Sequence, residues 1–186
     1  MTGVGQGKSG HWAAGYTAAE LDDAQARFGL HFPPDLVALL RDRRPARGHD
    51  WTGPEDRIRR ALAWPLEGLL FDVEKGLWQP EWGERPAHAG ERAEIVTALV
   101  AGAPPLIPII SHRYLPAEPL EAGNPVLSVY QSDIIYYGRD LEDYVVHEFG
   151  GGTEPVTGPV RRIRFWSDII DDPAGGWGRR GPPTTD

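Results

Sequence analysis

The order of the apolar segments constrains the fold of this chain more than any other sequence feature. Between residues 105 and 138, the short runs LIPII, VLSVYQ and DIIYYG follow one another with no helical segment between them. Consecutive strands without a crossover helix pair in antiparallel fashion. Because helical segments come before and after this block and do not alternate with strands, the sequence predicts an α+β fold. We expect an antiparallel sheet of short strands that is packed with surrounding helices.

The last two runs are separated only by the polar residues Gln131, Ser132 and Asp133. Ser and Asp favour turns because their side chains bond to nearby backbone amides, so a hairpin with this trio as its turn is predicted. A catalytic triad could instead combine Ser132 and Asp133 with His147. A nucleophilic serine usually lies on a strained G-x-S-x-G elbow, which this sequence lacks. We therefore favour the turn.

Helix signals flank the strand block on both sides. Thr17 and Glu20 have the spacing of a capping box, and Gly29 is a typical end for the helix that follows. Proline in a first turn marks further helix starts, and Asp140 is a typical N-cap. After the Thr17 helix, the predicted helices lie in HFPPDLVALL, in PEDRIRRALAW, in a separate short segment from Pro65, in AGERAEIVTALVAG and in RDLEDYVVHEF. RIRFWSDII is predicted as one more ordered segment.

The composition is that of one globular domain: 186 residues, of which 40% are hydrophobic and 25% charged. We place this domain at residues 17–172, between flexible tails at 1–16 and 173–186. The absence of cysteine excludes disulfides, thiolate metal sites and a cysteine nucleophile. No run reaches the ~18 apolar residues of a membrane span, and the N-terminus lacks the apolar core of a signal peptide. We therefore expect a cytoplasmic protein that does not bind membranes.

The net charge of −8 is concentrated in the middle of the chain. Residues 65–150 contain 14 acidic and 5 basic side chains. Such a segment repels nucleic acid and, if its charges share a face, attracts a basic partner, although acidic surfaces also serve solubility alone. The arginines of residues 41–60 alternate with acids and are interpreted as a solvated helical face.

No motif in the sequence predicts catalysis or a bound cofactor. His88 with Glu91, and His147 with Glu148, are local pairs of potential metal ligands, but neither pair has a partner motif. Carboxylate pairs such as Asp72 and Glu74 occur by chance in an acidic segment. We predict that the chain is not an enzyme and holds neither a metal nor a cofactor.

The segment SHRYLP places polar and aromatic residues directly after a buried strand. His112, Arg113 and Tyr114 could form the rim of a pocket, where Arg and Tyr often anchor partners. Alternatively, Arg113 pairs with a local carboxylate and Tyr114 caps the core. The tryptophans that flank EGLLFDVE, which are Trp64, Trp78 and Trp82, are interpreted as core or edge packing. Two more, Trp12 and Trp177, lie in the predicted tails.

Several segments, in their order, resemble the SUKH superfamily, which includes the fungal Smi/Knr cell-wall-assembly regulators and many bacterial immunity proteins. The resemblance covers Thr17 to about Phe149 through LDDAQARFGLHFPPDLVALL, WPLEGLLFDVE with WQPEWGERP, PLIPIISHRYLP, GNPVLSVYQSDIIYYG and DLEDYVVHEF. RDRRPARGHDW departs from the pattern because it lacks the Asn-Gly of many members, and the tail beyond Asp172 lies outside it.

The resemblance implies helices around an antiparallel sheet and a non-enzymatic role. Bacterial members typically bind and neutralise a cognate toxin domain, often a nuclease, and the family has no invariant catalytic set to transfer. The resulting expectation is an immunity protein. The alternatives are a regulatory or scaffolding module of the same fold, or a small-ligand binder or enzyme that uses His112, Arg113 and Tyr114.

For the immunity hypothesis we predict a set of partner-binding residues with acidic, aromatic and arginine side chains. Carboxylates would meet Lys or Arg on the toxin, while Trp, Arg and Tyr are the types that dominate interface energies. The predicted residues are Glu67, Asp72, Glu74, Trp82, Arg113, Tyr114 and Asp133.

Overall fold

The structure is a computed structural model that describes residues 10–151 and 156–172. These residues form six α-helices and six strands. The strands are β1 (Trp12–Ala14), β2 (Arg43–Pro45), β3 (Leu106–Ile110), β4 (Arg113–Pro116), β5 (Val126–Tyr130) and β6 (Asp133–Gly138). The helices are α1 (Ala18–Phe28), α2 (Pro34–Asp42), α3 (Glu55–Glu74), α4 (Ala89–Gly102), α5 (Leu141–Gly150) and α6 (Trp166–Asp171).

Strands β3, β4, β5 and β6 form an antiparallel sheet in sequence order, which confirms the α+β prediction. The predicted hairpin is confirmed, with Tyr130 paired to Asp133 across a two-residue turn. Asp133 therefore belongs to β6 and not to the turn. The segment SHRYLP contains β4, a strand that the sequence analysis did not assign. Its first residues, Ser111 and His112, form a turn directly after β3, and β4 follows at once.

Both faces of the sheet are buried against separate hydrophobic clusters. Successive side chains along a strand point to opposite faces of the sheet. Ile107 and Leu115 belong to one cluster, which also contains residues of α1 and α2. Leu127 and Val129 belong to the other cluster, which also contains residues of α3, α4 and α6. Burial of both faces explains why these strands read as continuous apolar runs.

The predicted caps are present where the sequence analysis placed them. The amide of Glu20 donates to the Thr17 hydroxyl over 3.2 Å, and the Thr17 amide donates to the Glu20 carboxylate over 2.7 Å. Gly29 ends α1 in the left-handed region with a φ of 64°. The Asp140 carboxylate accepts from the amide of Asp143 over 2.8 Å.

Helix α3 corrects the prediction of two separate helices that meet at Pro65. It runs from Glu55 to Glu74 without interruption, with Pro65 inside. Proline lacks the amide that would bond to the carbonyl four residues earlier, which belongs to Ala61. The hydroxyl of Tyr114 donates to that Ala61 carbonyl over 2.8 Å. A tertiary contact thus replaces the missing helical hydrogen bond.

The β5–β6 turn is fixed to α3 by a close backbone contact and two hydrogen bonds. A side chain at Gly68 would come within 2.8 Å of the Cα atom of Gln131, so the helix and the turn touch there. The Ser132 amide and hydroxyl both donate to one oxygen of Asp72, over 2.9 and 2.6 Å. These contacts determine the position of the hairpin end relative to α3.

The N-terminal segment predicted as a tail contains ordered structure from residue 10 onward. β1 pairs antiparallel with β2, which lies in the predicted polar loop after α2. The Trp12 ring contacts the Phe149 ring at 4.3 Å. The buried Tyr16 hydroxyl accepts from the amide of Trp51, itself a core residue. The sequence analysis missed these roles of Trp12 and Tyr16 because each depends on a contact distant in sequence. Trp177, the other tryptophan of the predicted tails, lies outside the described residues.

Candidate partner-binding cleft

Two hairpin turns lie side by side at one end of the sheet. The β3–β4 turn consists of Ser111 and His112, and the β5–β6 turn of Gln131 and Ser132. The first residue of each has a positive φ, 50° and 59° respectively. The amide of Val129 donates to the His112 carbonyl over 2.9 Å, which links the two turns.

The N-terminal half of α3 lies beside these turns and forms a cleft with them. The cleft has a volume of about 390 Å³, within the range typical of ligand pockets. Residues from α3, the two hairpins and the loop before α3 line it: His49, Arg57, Arg60, Ala61, Trp64, Ser111, His112, Tyr114 and Tyr130. We call this feature the hairpin-end cleft.

Two aromatic rings in the cleft remain open to solvent. Trp64 is 39% exposed and Tyr130 is 55% exposed, and their ring centroids lie 6.0 Å apart. The His112 ring lies 6.3 Å from Tyr130. The Trp64 indole donates to the carbonyl of Val129 over 3.1 Å, so its ring is held in place. A pre-ordered aromatic surface loses little conformational entropy when it binds a partner.

The charges that line the cleft are positive. Arg57 is exposed and forms no ion pair with the residues that the structure describes. Arg60 pairs with Asp56 over 2.8 Å on the helix surface. The spacing of Arg57, Ala61 and Trp64 places them on one face of α3. A guanidinium group and two rings therefore face the same space.

The pKa values of the two histidines of the cleft lie below the ordinary value for histidine. Burial lowers the pKa of His49 below its ordinary value, and the hydrogen bond to the Ser111 carbonyl opposes this only in part. Burial, and then the charge of Arg113, lower the pKa of His112. Burial also raises the pKa of the Tyr114 hydroxyl at the floor of the cleft, which keeps it a neutral donor.

Two of the predicted partner-binding residues are buried and have internal roles. Asp72 is 3% exposed and accepts both hydrogen bonds of Ser132. Tyr114 is 1% exposed and bonds to Ala61. Asp72 is buried under the β5–β6 turn, and Tyr114 contributes to the floor of the hairpin-end cleft, so their role in partner binding stays a prediction. For Tyr114, the structure agrees with the alternative of a core residue.

Arg113 and Glu74 are occupied by intramolecular contacts. Arg113 donates to the Ser128 hydroxyl over 2.8 Å, stacks 3.6 Å above the Tyr137 ring and lies 3.9 Å from the Glu148 carboxylate. Glu74 accepts two hydrogen bonds from Arg92, which hold the pKa of Glu74 below its usual value. Both residues support the fold.

The other predicted residues are exposed or half-buried. Glu67 is exposed on α3, and Asp133 is exposed at the start of β6. Trp82 is half-buried, with its ring near those of Trp78 and Phe165. Their role in partner binding stays a prediction.

The alternative catalytic triad is not assembled among the described residues. Ser132 donates its hydroxyl proton to Asp72, while the ring of His147 packs 5.2 Å from that of Tyr137. Within residues 10–151 and 156–172, no group of three or more His, Asp or Glu side chains is placed to hold a metal ion. No helix in the same ranges is long and apolar enough to cross a bilayer.

Another cleft, of about 650 Å³, lies beside β6. Residues of β6, α5 and α6 line it, together with the segment from Val156 to Arg162.

Sequence reasoning missed most of the cleft residues. It interpreted Trp64 as packing, and the arginines as a solvated helical face because acids alternate with them. The predicted helix PEDRIRRALAW already contains Arg57 and Trp64, seven residues apart and therefore on one face. The hairpin turns that complete the cleft with this face are distant in sequence, so no local pattern indicates them. Comparisons with protein-family models, curated proteins and solved structures found no match. Membership of the SUKH superfamily therefore stays a prediction.

Proposed function

We propose that this chain is a non-catalytic protein-binding domain whose binding surface is the hairpin-end cleft. The observation that carries the proposal is the exposure of Trp64 and Tyr130 beside Arg57, which has no ion-pair partner in the part of the chain that the structure describes. Trp, Tyr and Arg are the residue types enriched at the energetic centres of protein interfaces. Their support on a helix and two anchored hairpins provides the rigidity that precise recognition needs.

The biological role proposed for this domain is that of a cytoplasmic immunity protein. The support for it is the SUKH-like order of segments, whose bacterial members bind toxin domains. In this role the domain binds its toxin and keeps it inactive. A regulatory module that binds a harmless partner through the same cleft is the alternative.

A pull-down from the lysate of the protein's own host, with tagged chain as bait, tests both statements. Each captured protein is expressed alone and together with this chain. A partner that kills alone and is silenced by co-expression supports immunity, whereas a harmless partner favours the regulatory role.

Two variants locate the binding surface in the same experiment. Trp64→Ala with Tyr130→Ala removes both exposed rings, and the partner should be lost. Leu120→Ala, which truncates a side chain that is 56% exposed and outside the cleft lining, serves as the matched control. Circular dichroism confirms that each variant is folded. Equal capture by both variants would contradict the assignment of the cleft.

A further inference from the structure

We infer that the partner segment that enters the hairpin-end cleft is acidic and contains an apolar anchoring side chain. This inference rests on the proposed function, and it specifies the chemistry of the bound segment. It differs from the sequence-based expectation of a basic partner, which assumed that the acids of residues 65–150 share one face.

Charge complementarity carries the first half of the inference. Among the described residues that line the cleft, two are arginines and none is a carboxylate. The nearby Asp56 carboxylate is paired with Arg60, and no carboxylate among residues 10–151 and 156–172 forms an ion pair with Arg57. A Lys or Arg side chain of a partner would meet like charge here, whereas an Asp or Glu would gain a charge-assisted hydrogen bond.

The aromatic lining carries the second half. The rings of Trp64 and Tyr130 are 6.0 Å apart and remain solvated in the free protein. Covering them with an aliphatic or aromatic side chain removes apolar surface from water, which is the main favourable contribution to most interfaces. An acidic residue next to such an anchor engages Arg57 and the rings at the same time.

A single-stranded nucleic acid also combines negative charge with rings that stack on aromatic residues. The net charge of −8 argues against it, because a polyanion that extends beyond the cleft meets a predominantly acidic protein. A protein segment can instead restrict its acidic residues to the cleft. We therefore assign the cleft to an acidic protein segment.

The test is an NMR titration of the ¹⁵N-labelled full chain with three probes at concentrations up to about 1 mM. The probes are the capped peptide Asp-Glu-Phe-Asp-Glu, its basic counterpart Lys-Arg-Phe-Arg-Lys, and an oligothymidylate. The reporters are the indole N–H of Trp64 and the amides of His112 and Tyr130. We expect only the acidic peptide to shift these signals, with a weaker effect at high salt.

Neutralising the arginines provides the control for charge. In the variant Arg57→Gln with Arg60→Gln, the acidic peptide should bind at least about tenfold more weakly, because the charge-assisted contacts to both guanidinium groups are lost. Equal or stronger shifts with the basic peptide, larger shifts with the oligonucleotide, or no shift with any probe would each overturn the inference.

The captured partner distinguishes a failure of this inference from a failure of the proposed function. Arg57→Glu with Arg60→Glu should abolish binding of an acidic segment. If this variant binds the partner normally but the Trp64→Ala and Tyr130→Ala pair does not, the cleft binds a partner of different charge and only the inference fails. If both variants bind normally, the proposed surface fails as well.

Discussion

The hydrogen bond between Tyr114 and Ala61 makes a specific prediction about stability. Tyr114→Phe removes the hydroxyl that serves a buried carbonyl, and Pro65 has no amide to replace it. A buried acceptor left without a partner costs about 1–3 kcal/mol, so the free energy of unfolding should fall by that amount. In the background of Pro65→Ala, the new amide can donate to the Ala61 carbonyl. The same tyrosine substitution should then cost only about 0.5–1 kcal/mol.

A double-mutant cycle measured by urea unfolding isolates this compensation. The four proteins are compared by tryptophan fluorescence and circular dichroism, with a common dependence on denaturant. We expect a coupling energy of about 1 kcal/mol between positions 65 and 114. Tyr136→Phe is the matched control because its hydroxyl bonds to Ser167, away from this carbonyl. Its effect should add to that of Pro65→Ala within about 0.3–0.5 kcal/mol.

Additivity at positions 65 and 114 within the same limits would refute the reasoning. It would show that the tyrosine hydroxyl does not replace the missing helical amide. A loss of the two-state transition in any of the proteins would be visible as a changed denaturant dependence, which distinguishes altered folding behaviour from altered stability.

Two further predictions concern the turn and the titration of the cleft. Gly68→Ala should destabilise the protein by about 1–3 kcal/mol, because its methyl group would approach the backbone of Gln131 to 2.8 Å. The control is Gly90→Ala in α4, whose methyl group would meet nothing within 4 Å and which should be neutral or stabilising. Similar stabilities of the two variants in urea would contradict the close approach. The folded state lowers the pKa of His49, so the unfolded state takes up a proton first and stability should fall as the pH drops through about 6.5. His49→Gln should weaken this pH dependence when unfolding is measured between about pH 7.5 and pH 5.5, and an unchanged dependence would contradict it.

The parts of the fold that were predictable rest on local chemistry. Thr17 and Glu20 bond across one helical turn, and Ser132 lies in a turn between adjacent strands, so a short window of sequence contains the relevant partners. The continuity of α3 was not predictable in this way. Its compensating donor, Tyr114, lies 53 residues from Ala61 in the sequence.

The candidate site was less predictable for the same reason. Asp72 looked like a surface acid because charged residues are rarely buried, yet its partner Ser132 lies 60 residues further along the chain. The cleft likewise joins α3 to two hairpins, and no local pattern reports that neighbourhood. Residue type predicts interface chemistry, but the position of each side chain depends on tertiary contacts.

Helix α3 crosses both hydrophobic clusters. Ile58 belongs to one cluster, and Leu69 and Val73 belong to the other, on the opposite side of the sheet. Neither cluster can therefore lose its packing without disturbing the element that serves both. The two halves should open together as one cooperative unit, and the amides of α3 and the sheet should exchange with deuterium only as fast as the whole molecule unfolds.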